Sequence, residues 1–149
     1  MANIIFNAGL RDLLKNSKTF DSATYKALLV RSTSTYSPNK DDDTISGLTG
    51  LTEISVASYT RQTVTTPTIT EVDGSDLVKV DCDDVAFGSL ESGQTVKAII
   101  IYRHVTNDTD SIPLLYIDSD SGSLLPRALG GGAFTVQINA SGLLTFAQA

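Results

Sequence analysis

Between Val96 and Val105 the chain runs through Ala98-Ile99-Ile100-Ile101-Tyr102 with no polar interruption. Such a run has no wet face to alternate with a dry one, so it predicts a central strand covered on both sides. It is the longest apolar stretch in the sequence and far shorter than the roughly 20 residues that cross a bilayer. A strand of this kind needs neighbours, and the remaining sequence offers them. Thr24 to Arg31 has strand length and composition, and Leu114 to Ile117 is another short apolar segment. Phe134, Val136 and Ile138 alternate with Thr135, Gln137 and Asn139 before Asn139-Ala140-Ser141-Gly142 turns the chain into Leu143 to Phe146. Asp73-Gly74 marks a hairpin between Thr68–Val72 and Leu77–Asp81, with Val78, Val80 and Cys82 sharing one face. Arg61 to Thr70 alternates in part, and Pro67, which has no N–H, places that run on a sheet edge.

Other segments read differently. Ser32 to Gly50 is rich in Ser, Thr, Asp, Asn and Gly and contains Pro38, which predicts a long loop of the functional or mobile kind. Near the start, Phe6, Leu10, Leu13 and Leu14 form one apolar stripe at helical spacing, with Lys15 and Lys18 near the end that suits cations. Seven or eight strands and one helix define a mainly β fold: a β-sandwich or jelly-roll-like single domain with a short N-terminal α-helix. Residues 1–20 form the helix or arm, packed on the domain or on a neighbour, and residues 21–149 form the sandwich. A chain of 149 residues, 41% hydrophobic and 19% charged, suits one soluble globular domain with a real core. One cysteine allows no internal disulfide, and the N-terminus lacks the basic and apolar regions of a signal peptide.

Charge is unevenly placed. Residues 1–40 carry six Lys/Arg against Asp12 and Asp21, whereas residues 41–149 carry five basic and fifteen acidic residues. So acidic a body argues against nucleic acid as a partner, and the basic start suits docking to a neighbour.

Catalytic and metal chemistry find little support. His104 is the single histidine, near the end of the central strand, and no G-x-S-x-G motif accompanies it. Cys82 is flanked by carboxylates that disfavour a thiolate and reads as a small core residue. Zinc lacks ligands. Calcium needs only oxygens, and the acidic groups are Asp41-Asp42-Asp43, Asp81/Asp83/Asp84, Asp108/Asp110 and Asp118/Asp120. Asp118 and Asp120 match the opening of a calcium loop without its closing glutamate. Gly130-Gly131-Gly132 precedes a strand rather than a helix, so it reads as a turn and not as a phosphate cradle. The expectation is a protein that binds and assembles, not an enzyme, with no cofactor and no resident metal.

The order of features resembles small structural proteins of tailed bacteriophages, of the capsid decoration, or cement, type. The likeness lies in the helix with Gly9-Leu10-Arg11-Asp12-Leu13-Leu14-Lys15 and the strand Asp21 to Val30. It continues through the Thr-rich stretch Thr63 to Thr70, the acidic Asp81-Cys82-Asp83-Asp84 before Val85-Ala86-Phe87, and the segments Val96 to Tyr102, Pro113 to Asp118 and Phe134 to Leu144. The resemblance implies a virion component made in the host cytoplasm. It would sit on the outer capsid surface and bridge subunits of the major capsid protein as a homo-oligomer, dimer or trimer, without membrane or nucleic acid. Contact residues are then expected at Phe6, Arg11, Lys15 and Lys18 and at Asp41, Asp42 and Asp43. Other readings are a tail, neck or fibre-base component, and a β module that binds sugar or calcium.

Overall fold

The computed structural model describes residues 3–15, 20–119 and 125–147. In chain order these form β1 (Ile4–Ile5), α1 (Asn7–Lys15), β2 (Tyr25–Arg31), β3 (Gln62–Thr63), β4 (Thr68–Val72) and β5 (Leu77–Asp81). They continue with β6 (Val85–Ser89), β7 (Thr95–Arg103), β8 (Ile112–Ile117), β9 (Arg127–Ala128), β10 (Ala133–Val136) and β11 (Leu144–Ala147). Pairing is antiparallel throughout the described strands. The large sheet has the order β1-β8-β7-β2-β3, with β9 alongside β7, and two small sheets, β10-β6 and β11-β5-β4, complete a β-sandwich-like domain.

The apolar run lies in β7, flanked by β2 and β8, and residues 98 to 101 are fully buried. Its two faces serve two cores. Ile99 and Ile101 pack with Ala27 and Leu29 of β2 against Val80, Val85, Phe87, Phe134, Val136 and Leu144 of the small sheets. Ala98, Ile100 and Tyr102 pack with Leu28 and Val30 on the other face, beneath Tyr36, Ile45 and Leu48. Each side chain so buried contributes roughly 1.5–3 kcal/mol relative to exposure, so both covers matter to stability.

The second cover is the segment that composition marks as a long loop of the functional or mobile kind. It is fastened down. Tyr36, Ile45 and Leu48 are buried, and the Ser34 hydroxyl donates to Gly50 O at 3.0 Å while accepting the Thr52 N–H at 3.1 Å. A β-bulge between Val30 and Arg31 opposite β7 assists, because it puts Lys97 on the same side as this loop. The Lys97 ammonium donates to the carbonyls of Ser34 and Tyr36 at 3.2 and 3.3 Å.

The helix also departs from its predicted stripe. It begins at Asn7, after Phe6, and Leu14 is 71% exposed. Its inward face is set by the β8 edge. β1 pairs with β8 through Ile4 and Ile5, the Phe6 N–H donates to Leu114 O, and α1 then continues along the same strand. A Cβ on Gly9 would lie 2.4 Å from Pro113 O, so only glycine permits this approach. Phe6, just before the helix, enters one core and Leu13 the other, so the segment straddles the sheet edge. An edge so covered is closed to strand addition.

Arg61 to Thr70 is not one strand. β3 ends the large sheet, the chain breaks at Thr66 with φ +49°, and β4 borders the three-stranded sheet. Both pieces are edges, as Pro67 requires. The 73–76 turn closes the β4–β5 hairpin, with Asp76 left-handed at φ +49°.

Candidate functional site

The polar groups singled out by sequence lie at separate places, and most of them act as fasteners. Phe6 is 0% exposed, inside the domain's own core, which corrects its expected role as a contact residue. Arg11 and Lys15 lie exposed on the outer face of α1, whereas Lys18 lies outside the described residues. Asp41 sits at the start of the helix, where its carboxylate accepts from the Asn7 side-chain amide at 2.9 Å and meets the positive end of the dipole. Asp42 accepts the Tyr36 hydroxyl at 2.6 Å and the Asn39 N–H at 3.2 Å. Burial and this carboxylate together push the Tyr36 phenol well above its ordinary range. Asp43 is exposed. The triple-aspartate stretch is thus divided between a helix start, a loop anchor and solvent.

The other acidic groups are similarly committed. Asp81 pairs with Lys79 at 2.9 Å, Asp83 accepts from the Thr66 hydroxyl, and Asp84 accepts the Ile138 N–H at 2.8 Å. Asp110 accepts the N–H groups of Thr106 and Asn107, which hold its carboxyl below the usual range. Among the described residues, no three His, Cys, Asp or Glu side chains are placed to hold a metal ion. Asp118 is half-buried and Asp120 lies outside the described residues.

One cluster was invisible in the sequence. Arg61 pairs with Glu53 and, through Nη1 at 2.6 Å, with Asp108, and it donates to the Tyr102 hydroxyl at 3.1 Å. Tyr59 extends the network by donating to Glu53 at 3.0 Å and accepting the Leu29 N–H at 2.9 Å. The guanidinium holds the Asp108 carboxyl below the usual carboxylate range. This network binds the 53–61 and 105–111 connections to the end of the central strands. Its members are spread over 47 or more positions, and no local motif announces them.

His104 follows β7, as expected, with its Nδ1 3.4 Å from Ser111 Oγ. That hydroxyl is fully buried, donates to Asn107 O at 2.7 Å and accepts the Val105 N–H at 3.3 Å. A hydroxyl committed in this way is a turn fastener rather than an activated nucleophile. Cys82 is half-buried against the core, and burial, then its aspartate neighbours, pushes the thiol up to about 12.

Two features are left without internal partners. Among the described residues, Tyr116 Oη and Asp118 Oδ1 are buried with no hydrogen-bond partner, beside a cleft of about 310 Å³ that Ile4, Tyr36 and Lys97 also line. On the surface, Leu14 stands out from α1, while Ile69 and Phe146, each 38% exposed, lie on the three-stranded sheet. Among the described residues no helix is long and apolar enough to cross a membrane. Comparison with protein-family models, curated proteins and solved structures finds no match for this chain.

Proposed function

We propose that this chain is a decoration protein of a tailed bacteriophage head, which binds the outer shell in many copies and bridges subunits of the major capsid protein. The observation that carries the reading is how its charged groups are used. Arg61 with Glu53 and Asp108, Arg103 with Asp12, Lys97 with two carbonyls and Tyr36 with Asp42 all tie connections or the helix to the large sheet. What such fastening yields is a rigid body with shaped loops, and rigidity is what a shell clamp needs. Many weak contacts repeated around a symmetric shell then add up to a strong attachment. The resemblance in the order of helix, strands and acidic segments supports the same conclusion.

The test is a protein inventory of purified phage particles that carry this chain's coding sequence, with its copy number measured against the major capsid protein. A ratio near one to one, or a simple fraction of it, is the expected result. A few copies per particle would transfer the chain to the tail, neck or fibre base. Complete absence from particles would overturn the virion reading and leave a ligand-binding β module in its place.

A further inference from the structure

The outer face of α1 and the free end of the three-stranded sheet have complementary surfaces. On α1, Leu14 is 71% exposed, and Arg11 and Lys15 flank it at the spacing that puts all three on one helical ridge. Asp12, the helix's acidic residue, is turned away into its pair with Arg103, so the ridge is an apolar knob between cations. Neither Arg11 nor Lys15 enters an ion pair among the described residues.

At the sheet, the core-facing side of β4, β5 and β11 runs on beyond the core. Val80 and Leu144 are buried, but the next row across the same face, Glu71–Val78–Phe146, lies outside it. There Phe146, Val78 and Leu77 line a pocket of about 190 Å³, and Glu71, Asp73 and Asp76 form its rim. All three rim carboxylates are exposed and, among the described residues, have no cationic partner. A shallow depression floored by Leu77, Val78 and Phe146 and bordered by carboxylates matches, in charge and in its apolar floor, an apolar knob flanked by cations.

We infer that the knob of one copy docks into the pocket of a second copy, with Leu14 on Phe146 and Val78 and with Arg11 and Lys15 facing Glu71, Asp73 and Asp76. The surfaces joined are different ones, so the contact propagates into rings or open chains, or is made twice, reciprocally, in a dimer. A single-side-chain anchor makes a small interface, so association is weak in free solution and weakens further as salt screens the rim charges. The inference rests on these two surfaces alone and stands whether or not the chain belongs to a virion.

Sedimentation velocity of the full chain from micromolar to millimolar concentration tests it, with two variants at exposed positions. Leu14→Asp removes the knob and Glu71→Lys reverses the rim, while circular dichroism melts check that each still folds. The wild type is expected to self-associate reversibly, and each variant alone to lose about tenfold or more in association constant. Mixing the two variants is expected to restore a heterodimer, because one keeps its pocket and the other its knob. A wild type that stays monomeric throughout would overturn the inference. So would association indifferent to Leu14→Asp, or a mixture no better than either variant alone.

Discussion

Asp12 on α1 and Arg103 at the end of β7 are 91 positions apart in sequence, yet Arg103 Nη1 lies 2.6 and 2.7 Å from the two carboxylate oxygens. The pair is largely shielded, with side-chain exposures of 10% for Asp12 and 20% for Arg103. It fixes the helix to the end of the central strand, while Phe6, just before the helix, and Leu13 anchor it in the two cores. A helix of nine residues is too short to persist alone, so these attachments decide whether it forms.

Asp12→Asn is therefore expected to lower unfolding free energy by about 1.5–3 kcal/mol, the range for a hydrogen bond to a charged group. The loss should be local as well as global. Amide hydrogen exchange should quicken in α1 and β1 before it quickens in β7. Equal acceleration in all three elements would mean that the pair does not hold the helix.

Gly9→Ala gives the opposite of what helix propensity predicts. On a free helix the change would stabilise by about 1 kcal/mol. Here the new methyl would meet Pro113 O at 2.4 Å and Leu114 Cα at 2.5 Å, both backbone atoms that cannot turn aside. The expected outcome in urea unfolding is a net loss of about 1–3 kcal/mol, the range for overpacking. A variant as stable as the parent would show that α1 can ride away from β8 at no cost.

Which parts of this architecture were legible in the sequence follows from how locally each is encoded. β7, the β4–β5 hairpin and the β10–β11 segment announce themselves through uninterrupted or alternating apolar residues and through Asp73-Gly74 and Gly142, signals confined to a few neighbours. The cover over the second core does not. Tyr36, Ile45 and Leu48 are spaced without periodicity inside a polar stretch, so composition reveals a long loop but not the three anchors that hold it down. Leu14 misled for a related reason: helical spacing assigned it to the stripe, but the approach of Gly9 to Pro113 rotates the helix face that is buried. The Arg61 network lies further from view, since Glu53, Tyr102 and Asp108 come together only once the sheet has formed. Of the residues expected to make contacts, Arg11, Lys15, Asp41 and Asp43 do lie at the surface, whereas Phe6 is in the core.

All five tyrosines have phenols raised above the ordinary value of 10.0, and burial is the leading cause in each. Tyr25 and Tyr116 are pushed up to about 12. The folded chain thus keeps these protons where the unfolded chain has begun to lose them. Their contribution to stability is fully present below pH 10 and is lost as the pH rises from 10 toward 12, because the unfolded state binds fewer protons there. Ultraviolet absorbance should show no separate titration at the ordinary phenol value, but a cooperative rise that coincides with loss of the circular dichroism signal. A tyrosine that titrates normally in the folded protein would contradict the burial assigned to it.

Tyr116 provides the sharpest test of this cleft, because among the described residues its hydroxyl and Asp118 Oδ1 are both buried without partners. Removing a buried hydroxyl normally sacrifices its hydrogen bond, at about 0.5–1.5 kcal/mol. Here no bond would be lost, and the desolvated oxygen and its proximity to the Asp118 carboxylate would both disappear. Tyr116→Phe is expected to leave unfolding free energy within about 0.5 kcal/mol of the parent or to raise it, with the ring still packed against Tyr36 at a centroid distance of 6.1 Å. The same substitution at Tyr59, whose hydroxyl bridges Leu29 N and Glu53, should cost about 1–3 kcal/mol, since it orphans a buried backbone N–H. Urea unfolding of the two variants side by side separates the cases. A loss at Tyr116 as large as that at Tyr59 would mean that the hydroxyl is satisfied in solution, by an ordered water bridging it to Asp118.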